Sequence, residues 1–463
     1  MITLFFLLCL PLTVGAFDSS FTFGVANAPA QVEDSLQDIW ETWGNNGQIK
    51  SWKETYLPEK RIEFWSHPEV ELDLAQKLGV HSFRLGVDWF RVMPTPTTFD
   101  ESAISKYRKI LQGIRDRGMK VMLTLSHHSV PDWVQKQDGW HNSKTKEDFL
   151  RFAQRMMEEF HGEVEWWISF NEANVFVVNA YTAGFWPPGV KGSILSLAAI
   201  GPYKGRSIKA LDMMADAHNE LYTWAHKKFP SIQLGVAHNM ANYRGRNFLD
   251  KVAAYFADQS MNWRFPERIR GNMDFYGVNY YGAEWIKGAG LEFNPEAEYS
   301  ESGRAIDTSG FLELLKEIHS RFPDQKIMIT ENGIADTDDG IRSSYILEHL
   351  AAIKGARDLK IPVVAYYLWT LTDNLEWTDG YCPKFGLVAV DRKTMKRSPR
   401  PSYYIFQRVI KENDVTLKLR QEAWKKVVSL FGKFRPFCRH EDGVTALDLP
   451  IPRRYGKVDW RFN

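Results

Sequence analysis

The chain has 463 residues, of which 44 % are hydrophobic and 14 % aromatic, so it can bury a large core and is neither disordered nor fibrous. Its 58 basic and 57 acidic residues leave a formal net charge of +1, which gives no overall reason to expect nucleic acid as a partner. The 17 Trp and 18 Tyr residues are typical of sites that stack against flat or sugar-like ligands, and a neutral partner is expected.

The first 16 residues, MITLFFLLCLPLTVGA, contain an apolar run from Ile2 to Val14. A membrane-spanning helix needs about 20 residues, so this run is too short for one. Val14 and Ala16 have the spacing of a cleavage site before Phe17, which predicts a signal peptide over residues 1–16 and a secreted protein. The segment lacks the usual Lys or Arg at its start, and an uncleaved anchor or an incorrectly assigned start stays open as an alternative.

Cysteine and glycine patterns give no sign of a metal or a cofactor. Without Cys9, only Cys382 and Cys438 remain, which implies neither a disulfide framework nor a zinc cluster, and whether the two pair is open. No metal-ligand spacing and no Gly-rich phosphate loop occurs, so no cofactor is expected.

From Phe21 onward, short β-rich runs alternate with amphipathic segments whose apolar residues recur every three or four positions. Helical patterns occupy 104–118, 146–160 and 344–359. Eight strands are predicted, at 21–27, 81–87, 120–127, 166–172, 233–239, 274–281, 326–333 and 363–370. Eight β/α alternations predict an α/β fold, a single (β/α)8 TIM barrel with long βα loops over residues 17–415. The longest predicted loops are 28–66, 173–206 and 282–309.

The C-terminal extension, residues 416–463, begins with a basic segment. Residues 416–440 carry seven Lys or Arg against one acid, Glu422, and one predicted helical face bears Trp424, Val427, Val428 and Phe431. Two interpretations are open: a helix packed on the barrel, or a basic amphipathic surface, residues 417–439, that lies on anionic lipid.

Two acids break otherwise apolar strands at their carboxyl ends. Glu172 closes the fourth predicted strand and Glu331 closes the seventh. Active sites of such barrels lie at the carboxyl ends of the strands, so both carboxyls are expected in one mouth. A pair of carboxyls across a cleft indicates cleavage of a glycosidic bond, because one can protonate the leaving oxygen while the other attacks the anomeric carbon or activates water.

These residues lie in motifs that resemble glycoside hydrolase family 1, the retaining β-glycosidases. The family's acid/base motif T-F-N-E-P appears as SFNEAN and its nucleophile motif as ITENG, and the likeness extends from FTFGVANAPAQVED to PSYYIFQRVI. The resemblance implies an O-glycosyl hydrolase in which Glu172 is the general acid/base and Glu331 the nucleophile. The mechanism requires the two carboxyls about 5 to 5.5 Å apart.

The same resemblance implies a sugar site, position by position. Asn171 would bind the 2-hydroxyl, and Trp369 would be the platform under the sugar. The other expected sugar ligands or pocket residues are Gln31, His127, Asn279, Tyr281, Glu376, Trp377 and Phe385. His128 stands where the family usually has Trp, and Ala173 where it has Pro, so the part of the site that faces the leaving group departs from the family pattern.

The resemblance also implies how the two carboxyls are tuned. Arg84 matches the family's second-strand Arg beside the nucleophile, and its charge is expected to hold Glu331 ionised. Glu172, in a pocket with a neighbouring carboxylate, is expected to have a raised pKa and to start protonated.

Phrases such as APAQVED, LSHHSVPDW and DGYCPKFGLVAVDR resemble a narrower branch, the sensitive-to-freezing type galactolipid galactosyltransferases of plastid envelopes. Gln31 departs from that branch, which has His there. The expected function is hydrolysis of a glucoside or galactoside, and the alternative is transglycosylation on a lipid-linked sugar by a membrane-associated, plastid-envelope-type protein. A sugar-binding module without catalysis is a third interpretation, which the presence of both Glu residues disfavours. An unrelated barrel enzyme with a metal or phosphate site has no motif in its favour.

Overall fold

A computed structural model describes residues 17–192, 205–288, 290–435 and 454–462. The predicted signal peptide, residues 1–16, lies outside the described residues, as does Cys438. Within the described ranges, no helix is both long enough and apolar enough to cross a lipid bilayer.

Eight parallel strands form a closed barrel, which confirms the predicted fold. Each barrel strand pairs with the next barrel strand along the chain, and the last pairs with the first, which completes the ring. The barrel strands are β1 (Thr22–Ala26), β2 (Ser82–Gly86), β3 (Lys120–Ser126), β4 (Trp166–Asn171), β5 (Leu234–Gly245), β6 (Phe275–Lys287), β8 (Lys326–Asn332) and β9 (Val363–Leu368). All eight fall on predicted strands, because each is a short apolar run bounded by turn residues.

Strands β5 and β6 are longer than the sequence predicted. They stay paired from Asn242↔Ala283 to Gly245↔Ile286, beyond the predicted ends at 239 and 281. The short strand β7 (Gly290–Leu291) folds back antiparallel on β6. The first residues of the predicted loop 282–309 are therefore strand, since cross-strand pairing and not the local sequence decides where a strand ends. The paired ends of β5 and β6 project beyond the barrel on its mouth side.

Helices cover the outside of the barrel and fill the connections between strands. The helix α7 shows why: Phe149, Phe152, Met156 and Phe160 recur every three or four residues and are all buried. The helices are α1 (Pro29–Val32), α2 (Ile39–Asn45), α3 (Pro68–Leu78), α4 (Trp89–Val92), α5 (Glu101–Asp116), α6 (Asp132–Gln135), α7 (Ser143–Phe160), α8 (Ala173–Val178), α9 (Arg206–Lys228), α10 (Phe248–Asp258), α11 (Arg264–Arg268), α12 (Thr308–Arg321), α13 (Arg342–Asp358), α14 (Pro401–Glu412) and α15 (Leu417–Leu430).

The register between neighbouring strands shifts near their carboxyl ends. Such shifts occur between Ile168 and Asn171 of β4, between Val278 and Asn279 of β6, and between Ile329 and Asn332 of β8. A bulge turns side chains away from the regular alternation and is common next to active sites. The three shifts lie on the strands that carry or precede the two candidate carboxyls.

Helix α15 of the C-terminal extension packs against α13 of the barrel. Its Trp424 and Val427 are buried in a cluster with Tyr345 and Trp460, whereas Val428 on the neighbouring face is exposed. From the sequence, this apolar face could contact either the barrel or lipid. Much of it is in contact with the barrel.

Candidate active site

The two strand-end acids lie in one cavity at the mouth of the barrel. Glu331 is the next-to-last residue of β8, and Glu172 follows β4 and precedes α8. Glu172 has a left-handed backbone, with φ of 46°, and its N–H donates to the carbonyl of Ala237 on β5 at 2.7 Å. A left-handed conformation costs a non-Gly residue on the order of 1 kcal/mol, so the fold holds this side chain in place against a strain.

Both carboxylate oxygens of Glu331 have a donor. Arg84 on β2 donates from Nη1 to Oε1 at 2.7 Å, and the hydroxyl of Tyr281 on β6 donates to Oε2 at 2.7 Å. Arg84 is fully buried and Glu331 nearly so, and the guanidinium also donates to the Thr330 carbonyl at 2.9 Å. A carboxylate held on both sides by strong donors has a fixed orientation toward the cavity.

Glu172 is held by amides on one oxygen and faces an imidazole on the other. Asn279 and Asn239 donate from their Nδ2 atoms to Oε1, at 2.8 Å and 3.1 Å. His128 Nε2 lies 3.7 Å from Oε2. The two carboxyls therefore stand in different surroundings, a cationic guanidinium beside Glu331 and amides with an imidazole beside Glu172.

Asn171 connects the two carboxyl groups. Its Oδ1 accepts from Arg84 Nη2 at 2.6 Å and from Asn279 Nδ2 at 3.0 Å, and its Nδ2 lies 2.9 Å from His127 Nε2. A continuous chain of hydrogen bonds thus leads from Glu331 through Arg84, Asn171 and Asn279 to Glu172. Such a buried network, when its members are satisfied, fixes side-chain positions.

Aromatic and polar side chains complete the cavity. Trp377 packs against His127 and His128, with ring centroids 5.7 Å and 5.0 Å away, and Phe385 meets Tyr281 edge-on at 6.0 Å. The cavity is lined by His127, His128, Asn171, Glu172, Val175, Asn179, Phe185, Trp186, Asn239, Tyr281, Ser302, Gly303, Arg304, Glu331, Trp369, Glu376, Trp377, Thr378, Asp379 and Phe385.

The chain is similar to known proteins over most of its length. Residues 13–263 and 251–415 match glycosyl hydrolase family 1. The chain is 40 % identical to a protein of Oryza sativa subsp. japonica named beta-glucosidase-like SFR2, chloroplastic, over 89 % of this chain and 67 % of that one. It is 35 % identical to the galactolipid galactosyltransferase SFR2, chloroplastic, of Arabidopsis thaliana, over 96 % and 82 % of the two chains. The chain belongs to glycosyl hydrolase family 1.

A solved structure agrees with this assignment. The beta-glycosidase from Pyrococcus horikoshii is 26 % identical and superposes with a TM-score of 0.77, over 89 % of this chain and 98 % of its own. The predictions of a family 1 glycoside hydrolase on a TIM barrel, and of a resemblance to the galactolipid galactosyltransferase branch, are confirmed.

All of the family 1 site residues that the sequence predicted line the cavity or bond to a residue that does. Asn279 bonds Glu172 without being part of the lining. Gln31 is fully buried beside the lining, and its Nε2 donates to the Leu375 carbonyl at 2.5 Å and lies 3.5 Å from Glu376 Oε2. Its Oε1 has no hydrogen-bond partner among the described residues, which leaves an acceptor free.

Asn239, which donates a hydrogen bond to Glu172 from β5, is not among the residues predicted from the sequence. The signal was available, since Asn239 is a polar residue at the end of a predicted strand, as Glu172 and Glu331 are. The contact of His128 with Glu172 was also missed, although this residue had been noted as a departure from the family. No strand-end signal marks Trp186 or Arg304, because they reach the mouth on long loops.

The pKa directions of the two carboxyls are opposite to those expected from the sequence. Burial raises the pKa of Glu331 to about 7, although the charge of Arg84 acts against it. Burial also acts to raise the pKa of Glu172, but the hydrogen bond and charge of His128, with the amides of Asn279 and Asn239, outweigh it and lower the pKa. The charge of Arg84 and the neighbouring carboxylate could be inferred from the sequence. The burial of Glu331 and the imidazole beside Glu172 depend on the tertiary structure.

His128 itself has a pKa lowered by burial, although its contact with Glu172 acts to raise it. The imidazole therefore carries its charge only at acidic pH, and its electrostatic effect on Glu172 is strongest there.

Proposed function

We propose that the protein cleaves β-glycosidic bonds with retention, through a covalent glycosyl-enzyme on Glu331. The observation that carries the proposal is a pair of buried carboxyls in one cavity, with Glu331 held by Arg84 and Tyr281 and Glu172 held by amides. Ionised Glu331 attacks the anomeric carbon while Glu172 gives its proton to the departing glycosidic oxygen. Glu172 then takes a proton from the incoming hydroxyl, which displaces Glu331 and restores both groups.

The hydrogen bonds of each carboxyl support these roles. The pKa directions place the proton on Glu331 more often than on Glu172, so the reactive form is the minority of molecules in which Glu172 holds it. With a pKa of about 7, Glu331 is ionised in a large share of molecules at neutral pH, and Arg84 with Tyr281 fixes both of its oxygens. Glu172 keeps Oε2 free of amide donors, so a proton at that oxygen can face the leaving group. We expect the two carboxyls to be about 5 to 5.5 Å apart, as retention requires.

The remaining residues are proposed to bind the sugar. Trp369 forms the platform, and Asn171 binds the 2-hydroxyl, where a hydrogen bond strengthens in the transition state. Gln31 and Glu376 bind the distal hydroxyls, and the free Oε1 of Gln31 supports this role. Both side chains can bind either epimer at carbon 4, so a glucoside and a galactoside are both candidate substrates.

A second candidate function is transfer of the sugar to a lipid-linked sugar instead of water. It is favoured by the two relatives named SFR2, one of them a galactolipid galactosyltransferase, and requires no change in the first chemical step. Both are named chloroplastic, which supports a plastid membrane as the alternative to the secretory route. Contact of residues 417–439 with lipid would belong to this second function.

One experiment separates the two functions. Purified protein is incubated with monogalactosyl lipid and, separately, with an aryl β-glucoside, and the products are identified. Free sugar from either substrate supports hydrolysis, whereas oligogalactolipid without free galactose supports the transferase. Glu331→Gln serves as the control, because both functions pass through the same intermediate. No product from either substrate would contradict the proposal.

A further inference from the structure

Helix α10 turns an apolar face to solvent at the mouth of the barrel. Phe248, Leu249, Val252, Tyr255 and Phe256 are between 39 % and 77 % exposed, within a helix of 11 residues. At 100° per residue, these five side chains fall within an arc of about 120°. An apolar stripe of this width normally faces the core of a protein, and here it faces outward.

The patch differs from the rest of the described surface. Other strongly exposed apolar side chains occur at most twice in any described helix, such as Tyr404 on α14 and Val428 on α15. Soluble monomers rarely expose contiguous apolar patches larger than a few hundred Å², and larger ones mark interaction sites.

The two acids of α10 are taken up by hydrogen bonds within the protein. Asp250 is buried and accepts from the Asn247 side chain and from the Gly288 N–H, and Asp258 accepts from the Trp263 indole at 2.8 Å. Lys251, and Arg246 just before the helix, are exposed, and neither forms an ion pair within the described part of the chain. They add positive charge beside the apolar side chains, whereas Asp258 on the same border accepts hydrogen bonds from Trp263 and Asn262.

The segments on either side of α10 each carry a residue near the active site. The strand before it, β5, carries Asn239, which donates to Glu172. The segment after it leads to Met261, whose carbonyl accepts from Asn174 Nδ2 at 2.9 Å, two residues beyond Glu172. The patch thus lies on the rim of the mouth, on the side of β5.

We propose that α10 docks the protein on a lipid bilayer, with its apolar face among the acyl chains and Lys251 and Arg246 at anionic headgroups. Phe and Leu on one face and basic residues beside it are the composition of helices that lie in the membrane interface, where they sink about 5–10 Å. A second copy of the chain is a poorer occupant, because a stable dimer buries about 800 Å² per partner and α10 is only about 16 Å long.

Docking in this way brings the mouth to the headgroup layer, so a sugar borne by a lipid can enter without leaving the membrane. This consequence rests on the proposed function, whereas the docking itself does not. Helix α15 has less apolar surface available to a bilayer, because its Trp424 and Val427 are already buried against the barrel.

The test is flotation of the full chain with vesicles of phosphatidylcholine, with and without phosphatidylglycerol. We expect binding that increases with phosphatidylglycerol, and a fall of about tenfold in affinity for each of Leu249→Ser and Phe256→Ser. Lys251→Glu should cause a smaller fall that disappears at high salt. Val428→Ser on α15 is the matched control and should bind as the wild type does.

Folding is checked by turnover of a soluble aryl β-glycoside, which the α10 variants should retain, since the exposed face does not line the cavity. Circular dichroism provides the same check independently of activity.

The proposal is overturned if the wild type does not float, if the α10 variants float as well as the wild type, or if Val428→Ser loses binding equally. A dimer that Phe256→Ser splits, without vesicle binding, would instead identify a second copy as the partner. Vesicle binding without any glycosidase activity would leave the docking intact and refute only the proposed function.

Discussion

Replacing Tyr281 by Phe removes one hydroxyl and leaves the aromatic ring in place beside Phe385. The lost bond is the 2.7 Å contact to Glu331 Oε2, and Arg84 still holds the other oxygen. A hydrogen bond to a charged group contributes about 1.5 kcal/mol or more, and about 1.4 kcal/mol corresponds to one pKa unit. Because the bond favours the ionised form, its loss should raise the pKa of Glu331 from about 7 by roughly one unit.

The expected result is a loss that depends on pH. At pH values below about 7, the variant should have about one tenth of the wild type's kcat/KM, because about one tenth as much of the enzyme has Glu331 ionised. This holds in whichever order the two carboxyls lose their protons. The loss should disappear at alkaline pH, where Glu331 is ionised in both proteins. The measurement is kcat/KM for an aryl β-glycoside across the pH range, for variant and wild type.

Tyr280→Phe is the matched control, because its hydroxyl donates to the Asp307 carbonyl at 2.8 Å and not to the site. This change should cost about 1 kcal/mol of stability and leave the shape of the pH profile unchanged. An equal deficit of Tyr281→Phe at every pH, or the same pH-dependent loss in Tyr280→Phe, would refute the reasoning.

Three further predictions concern the carboxyls. Glu331→Gln should abolish turnover of an aryl β-glycoside, because an amide cannot form the covalent intermediate; near-normal activity would reject the nucleophile assignment. Glu172→Ala should still form the intermediate from a substrate with a good leaving group, and added azide should yield the β-azide, whereas an α-azide would indicate inversion. His128→Asn should raise the pKa of Glu172, since it removes a group that lowers it, and so place the proton on Glu172 in a larger share of molecules and raise kcat/KM at neutral pH. His226→Asn on α9 is the control for that change and should leave kcat/KM as in the wild type; an unchanged kcat/KM in His128→Asn would contradict the prediction.

The sequence alone was sufficient for the fold and for the two acids. Eight apolar runs bounded by turn residues predict eight strands, and a polar residue at the end of such a run stands out, as Glu172 and Glu331 do. The carboxyl ends of parallel barrel strands meet at one face, so strand order alone brings the two acids together. The spacing of apolar residues and the order of the strands are both visible in the linear sequence, so they can be predicted without the tertiary structure.

The electrostatics of the site were decided by the tertiary structure. Glu331 was expected to be ionised because Arg84 resembled a family residue, but its burial raises the pKa to about 7. Glu172 was expected to have a raised pKa, but His128 lies 3.7 Å away and lowers it. Both effects depend on depth and on distances between residues far apart in the chain, which a sequence pattern does not contain.

The same distinction applies to the surface. The pattern of α10 is amphipathic, and a sequence with this period predicts a helix but not the direction in which its apolar face points. Only the packing of β5 and β6 beyond the barrel places that face outward, with Asp250 buried on the opposite side. The sequence by itself therefore determined the barrel and its acid pair, because these follow from local periodicity and strand order. The tertiary structure decided the protonation of the pair and the exposed apolar rim, because these follow from burial and from contacts between distant segments.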